Sequence, residues 1–402
     1  MTTIRLAEHA VLTDVALSAA AAHALQASKV VTLTPTRAPG RWQVRGKAVV
    51  GAAWVGPPGD GVELWVTPKV PVDRLFFLLG YSRVGIQWRD RVVDLDEQPD
   101  LLSAVAEAFS RQADRALRQG VLQGYHQVED ALPVLRGRLR EREQVRRRHG
   151  LMVPLEVTYD EFSVDIAENR LILAASRRLL RMPGISASTR HSLQRTLLRL
   201  SGVEAPADGQ PLPRWQPSRL NGRYHVALPL AELVLRGGSF DLRAGSVRVE
   251  GFLVDMNKAF EDFVVRALQD ALRPYGGRCV MPAKHDLDVE KSVKLEPDLV
   301  WYRPDGTPGA VVDAKYKAEK NKKFPNADAY QMLAYCTALG LPRGHLIYAA
   351  GGDAPPERTI RRTGMKLLRH VLPLDRSPGE VLAAVAELAD LIAGPPAHVP
   401  NG

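Results

Sequence analysis

Residues 296–317 read EPDLVWYRPDGTPGAVVDAKYK, and the fold turns on this stretch. Two runs rich in Val, Trp and Tyr, DLVWY (298–302) and GAVVDAKY (309–316), flank RPDGTP, whose Pro304, Asp305 and Gly306 are strong turn formers. The pattern predicts a β-hairpin. Side chains alternate along a strand, so Asp313, Lys315 and Lys317 share one face while Val312, Ala314 and Tyr316 take the other. Asp298 and Asp313 then start and end the hairpin on strands that can pair directly. One reading makes Asp313 and Lys315 a solvated ion pair on an edge strand. The apolar run AVVDA reads instead as a central strand, where charge is rarely buried without a partner or a metal.

Two carboxylates brought together repel, and each raises the other's pKa unless a cation neutralises them. A hard divalent ion, Mg²⁺ or Mn²⁺ in its place, answers that need with oxygen ligands and keeps room for water and a phosphate. A nearby ammonium helps to orient or deprotonate the attacking water and offsets charge on the phosphate in the transition state. Asp298, Asp313 and Lys315 together make a minimal kit for phosphodiester hydrolysis.

Helical patterns flank the hairpin on both sides. MNKAFEDFVVRALQDAL (256–272) has helical periodicity, and Glu261 shares a stripe with Val264, Val265 and Leu268, which points that acid inward. NADAYQMLAYCTALG (326–340) reads as a helix capped near Asn326 and stopped at Gly340, with Gln331 and Tyr335 one turn apart. Core packing would account for Tyr335. Gln331, among Leu333 and Ala334, needs hydrogen-bond partners if it is buried.

The order Glu261, Asp298, Asp313-x-Lys315, Gln331-x-x-x-Tyr335 resembles the PD-(D/E)xK nuclease superfamily, in particular its branch with a Q-x-x-x-Y helix. Further segments, VTPKVPVDRLFFLLGYS (66–82), VLRGRLR (134–140), YDEFSVDIAENRLIL (159–173) and FLVDMNKAFEDFV (252–264), resemble the McrC family, the nuclease subunits of McrBC modification-dependent restriction systems. The resemblance covers most of residues 40–350. It implies an Mg²⁺-dependent endonuclease on double-stranded, modified DNA that works with an McrB-like AAA+ GTPase ring, with Asp298, Asp313 and Glu261 toward the metal, Lys315 in the chemistry, and Gln331 and Tyr335 supporting the site or the DNA. Glu296 departs from the neutral or basic residue expected before Pro-Asp; it is either an extra acid near the metal or a solvated carboxylate.

At 402 residues, 45% hydrophobic and 25% charged, the chain has material for two or three globular domains. A net charge of +9 favours approach to a polyanion, although basic surfaces also meet proteins. Cys279 and Cys336 match no zinc spacing and read as reduced thiols, which places the chain in the cytoplasm. VALSAAAAHALQA (15–27) lacks the basic lead-in of a signal peptide and is interrupted by His23, so it reads as a helix or a loosely ordered lead-in. No apolar run is long enough to span a membrane. No G-x-x-x-x-G-K-[S/T] loop offers a cradle for a nucleotide, so energy-driven movement falls to a partner.

Residues 29–70 read as β-rich, DRLFFLLGY and PDLLSAVAEAFSRQADRALRQG as helices, and the stretch from Val128 to Phe162 as mostly extended. Residues 136–150 hold seven arginines and two glutamates. Arg136, Arg138, Arg140, Arg146, Arg147 and Arg148 serve as a solvated loop, as phosphate clamps, or as a docking surface for the partner ring, a use the family resemblance favours. Two helical runs follow Tyr159, with Asn169 and Arg170 holding a helix start. A proline-rich loop (202–222), a helix in HVALPLAELVLRGG and a short hairpin then lead to Asn257.

The expected architecture is α/β, or α+β overall. Residues 1–245 form a β-rich and helical adaptor that meets the partner, 246–394 a restriction-endonuclease-like core with a mixed sheet flanked by helices, and 395–402 a frayed tail. Two alternatives stand beside it: a regulatory adaptor that stimulates an NTPase ring with a vestigial nuclease site, and a stand-alone repair nuclease of the same superfamily.

Overall fold

The computed structural model describes residues 2–57, 60–84, 101–149, 151–206, 210–237, 249–318, 325–350 and 356–393. The chain forms two compact units, one of residues 1–101, 242–249 and 253–402, the other of 102–241 and 250–252.

The first unit holds the predicted hairpin inside a six-stranded mixed sheet. Its strands are β1 (Arg278–Val280), β2 (Leu299–Tyr302), β3 (Pro308–Ala318), β4 (Arg343–Ala350), β5 (Glu357–Thr359) and β6 (Lys366–Val371), in the order β1-β2-β3-β4-β6-β5. β2 and β3 are antiparallel with Leu299 opposite Val312, and β3 runs parallel to β4. The turn between β2 and β3 is built by its sequence: Gly306 takes φ +84°, and Asp305 Oδ1 accepts from the backbone N–H and the hydroxyl of Thr307 at 2.9 and 2.7 Å. Because β3 is paired along both edges, AVVDA is a central strand and not the solvated edge of the first alternative.

Three helices accompany this sheet: α1 (Met256–Leu272), α2 (Asn326–Leu339) and α3 (Pro378–Ala393). Asp255 caps α1 by accepting from the N–H groups of Asn257 and Lys258, and Met256, Ala259, Phe260, Phe263, Val264, Ala267 and Leu268 form its buried stripe. α2 begins at Asn326 with Pro325 before it and no side-chain cap, and ends as expected at Gly340 in the left-handed conformation. Ser377 and Glu380 make a reciprocal capping box at the start of α3. α2 seats closely on β4, since a Cβ on Gly344 would come within 2.3 Å of Met332 Sδ.

The N-terminal residues of this unit are β-rich, as 29–70 predict. Thr2–Ala7, Val62–Thr67 and Val49–Val55 lie in that order in one sheet, and Val11–Ala16, Arg41–Gly46 and Val31–Pro35 form another. VALSAAAAHALQA becomes the end of a strand and then a helix, Ala19–Ser28, capped by Ser18.

These residues pack with the C-terminal core, so the compact units are not the halves expected on either side of residue 245. Ties distant in sequence account for the difference. The Tyr316 hydroxyl donates to Glu8 Oε2 at 3.1 Å, Met256 N–H donates to Ala48 at 2.9 Å, and the Phe77 and Phe263 rings meet at 5.2 Å. No local pattern announces them. The expected boundary at residue 245 and the tail at 395–402 lie outside the described residues, and of the short hairpin expected before Asn257 the strand Val249–Asp255 is described.

The second unit has helices Leu101–Leu117, Glu141–Arg148, Ala167–Leu180, Ala187–Arg199 and Ala227–Gly237. Its three-stranded sheet pairs Gly124–Leu132 with Leu155–Ser163, and the latter with Arg138–Leu139. The stretch expected to be mostly extended is thus interrupted by an eight-residue helix that carries Arg146, Arg147 and Arg148. Asn169 is fully buried and donates to the carbonyls of Leu122 and Val164, and Arg170 grips Asp165 with two bonds, so both hold a helix start.

Candidate active site

The β2–β3 register brings Asp298 and Asp313 together. Asp298 lies one residue before β2, and its Oδ2 accepts the N–H of Ala314 at 2.7 Å, a bond that fixes it beside its partner acid. Asp313 is 1% exposed. Burial, followed by the charge of Asp313, pushes the Asp298 carboxyl up to about 7. Burial also raises Asp313, partly offset by Lys315.

Lys315 Nζ lies 2.5 Å from Asp313 Oδ2, a buried ion pair. Burial works against this ammonium, yet the charges of Asp313, Asp298 and Asp328 outweigh it and raise its pKa. The buried face of the hairpin therefore carries two acids and one cation, and one negative charge remains over when both acids ionise. That surplus is what a divalent ion or a proton would neutralise.

The remaining predicted residues take different places. Glu261 on α1 is half-buried rather than turned fully inward, and Lys258 engages it at 3.0 Å. Its charge still reaches the pair, since it raises both aspartates. Gln331 is exposed, and its amide donates to the Tyr335 hydroxyl at 2.7 Å. That hydroxyl donates in turn to the carbonyl of Glu296 at 3.3 Å, two residues before Asp298. Burial and then the Asp313 charge push the Tyr335 phenol up to about 12, which keeps it a donor. The two α2 residues thus hold the backbone that delivers Asp298. The Glu296 side chain is largely exposed and faces Lys284 at 3.8 Å, in keeping with a solvated carboxylate.

Sequence reasoning missed Asp328. It sits in the first turn of α2, 4% exposed, and its Oδ2 accepts from Tyr348 at 2.7 Å. An acid in a first helical turn is ordinary, so only the fold reveals that this one is buried near Lys315.

Among the described residues, no three His, Cys, Asp or Glu side chains stand as a ready group for a metal ion. The donor chemistry nonetheless fits a hard cation: two buried carboxylates stand together with Lys315 on Asp313, and the charge of Glu261 is close enough to raise both.

The arginines belong to the second unit. Arg136 stacks on Tyr159 at 3.9 Å, and Arg140 pairs with Glu129 at 2.6 Å. Arg148 and Arg147 reach the buried Glu156 at 2.8 and 3.6 Å, and Arg146 pairs with Glu143. Arg138 is exposed on its short strand.

A mixed sheet with paired acids and a lysine on its central hairpin defines an α/β protein with a charged, buried site. Residues 49–349 match the family described as the McrBC 5-methylcytosine restriction system component, and the chain belongs to that family. The fold is similar to a chain in the refined half-complex from the tetradecameric assembly of Thermococcus gammatolerans McrB AAA+ hexamers with bound McrC, at 19% identity and TM-score 0.59, covering 97% of this chain and 100% of that one. A chain of the cryo-EM structure of the Thermococcus gammatolerans McrBC complex is also similar, at 23% identity and TM-score 0.40, covering 69% of this chain and 90% of that one. No curated protein matches the sequence. No helix among the described residues is long and apolar enough to cross a membrane.

Proposed function

We propose that this chain is the McrC-type nuclease subunit of a McrBC-like restriction system, an Mg²⁺-dependent endonuclease of PD-(D/E)xK type that cuts modified double-stranded DNA in the cytoplasm when an McrB-like AAA+ GTPase ring activates it. The observation that carries the reading is the buried Asp298–Asp313 pair with Lys315 at 2.5 Å from Asp313. Family membership supports the system, and the McrC bound to McrB hexamers in the similar assembly supports the partner.

Asp298 and Asp313 would hold the ion, with Glu261 joining once it leaves Lys258. When bound, Mg²⁺, or Mn²⁺ in its place, supplies Lewis-acid polarisation of a phosphoryl oxygen and a more acidic water. Lys315 offers its ammonium to the charge that grows on the phosphate in the transition state. Gln331 and Tyr335 keep Asp298 in place through the Glu296 carbonyl. The chain offers no G-x-x-x-x-G-K-[S/T] loop, which supports leaving GTP to the partner.

One observation favours the adaptor alternative, in which the chain mainly stimulates the ring: Glu261 rests on Lys258 instead of on the pair. Assays with the purified chain, the partner ring, GTP and Mg²⁺ separate the readings. Cleavage that needs all four components is expected. Stimulated GTP turnover without any cleavage selects the adaptor, and efficient cleavage by the chain with Mg²⁺ alone selects a stand-alone nuclease.

A further inference from the structure

Helix α2 brings Asp328 to the face of the sheet that carries the acids. Tyr348 on β4 is the register neighbour of Lys315 on β3, and residues paired across neighbouring strands project to the same side. The Tyr348 hydroxyl donates to Asp328 Oδ2 at 2.7 Å, so Asp328 lies one tyrosine length from the position beside Lys315. Lys315 is thereby provided with two carboxylates: Asp313, two residues back on its own strand, and Asp328 on α2. Its charge interactions include both.

A divalent ion and the Lys315 ammonium would compete for the same oxygen, Asp313 Oδ2, and two cations there repel. We propose that Asp328 is a positioning residue: held by Tyr348, it receives the Lys315 ammonium when a cation occupies Asp313, so that the lysine stays beside the site without displacing the ion. The inference rests on the metal-site reading under Proposed function.

The test is a Mn²⁺ titration of the full chain, without DNA or partner, with free ion followed by electron paramagnetic resonance. Asp328→Asn is expected to weaken Mn²⁺ binding about tenfold, and the loss is expected to shrink to under about twofold in a Lys315→Met background, where no ammonium needs a second carboxylate. Tyr348→Phe keeps the acid but removes its bond to Tyr348, and is expected to give a smaller loss in the same direction that also vanishes with Lys315→Met. Should Asp328→Asn fail to fold in a metal-free thermal melt, the Tyr348→Phe series carries the test. Unchanged affinity, or an equal loss with and without Lys315, overturns the proposal, since the acid then acts on the ion directly or only through the fold. Mn²⁺ affinity that is unaffected by Asp313→Asn overturns the metal-site reading itself, and this inference with it.

Discussion

Asp313 bears its charge where the sheet leaves it almost no water, and Lys315 is its immediate counter-ion. Removing one partner of a buried pair leaves the other uncompensated. Lys315→Ala is therefore expected to lower metal-free stability by about 1–3 kcal/mol, discounted because the lysine is itself 24% exposed, and Mg²⁺ is expected to restore much of the loss. Thermal melts with and without Mg²⁺ check this; equal melting of variant and parent without metal speaks against a strained pair. A second buried pair sets a pH dependence. His345 Nδ1 and His370 Nε2 stand 3.0 Å apart, and burial, joined at His345 by the charges of His370 and Arg343, pulls them down to about 3 and about 4 from 6.5. Both stay neutral when folded while the unfolded imidazoles take up protons below 6.5, so their contribution is present above that pH and is lost as pH falls toward 4. His370→Gln is expected to flatten the fall in Tm between about pH 7 and about pH 5; an unchanged slope would assign acid sensitivity to other groups.

At the scale of elements, α2 both packs the core and steers the site. Tyr335 is 3% exposed, packs with Met332, Val311 and Leu346, and spends its hydroxyl on the Glu296 carbonyl. Tyr335→Phe is expected to leave the fold nearly unchanged while lowering kcat about tenfold, because the Glu296 carbonyl that leads into Asp298 loses its donor. A fall in KM performance alone would place the tyrosine on the DNA instead. Gly344→Ala pushes α2 away from β4, since the added methyl meets the Met332 and Cys336 sulfurs, and is expected to cost about 1–3 kcal/mol by denaturant unfolding. Much of this was legible in the sequence. Alternation put Asp313 and Lys315 on one face, turn chemistry set the hairpin, and periodicity with Gly340 bounded α2. What the sequence withheld depends on contacts between distant segments: the burial of Asp328 under Tyr348, the capture of Glu261 by Lys258, and the exposure of Gln331, whose hydrogen bond serves Tyr335 rather than a buried amide.

Across the whole molecule, the N-terminal residues pack with the C-terminal core, and the arginine-rich stretch belongs to the other compact unit. The arginines are not equivalent. Arg148 satisfies the buried Glu156 and is part of the fold, whereas Arg138 and Arg146 are exposed. Reversing Arg138 and Arg146 together is expected to weaken stimulation of the partner's GTP turnover, more so at low salt because exposed charges are screened over about 10 Å at 0.1 M. Normal stimulation with lost DNA binding would make them phosphate clamps, and no change in either would leave a solvated surface. The central claim, that the β2–β3 hairpin carries the chemistry while partner contact lies elsewhere, is met most directly by one reaction in which DNA cleavage and GTP turnover are followed together with the partner ring, GTP and Mg²⁺ for the parent chain and Asp313→Asn. The expected result is cleavage reduced by at least about a hundredfold with GTP turnover within about twofold of the parent; undiminished cleavage by Asp313→Asn would contradict it.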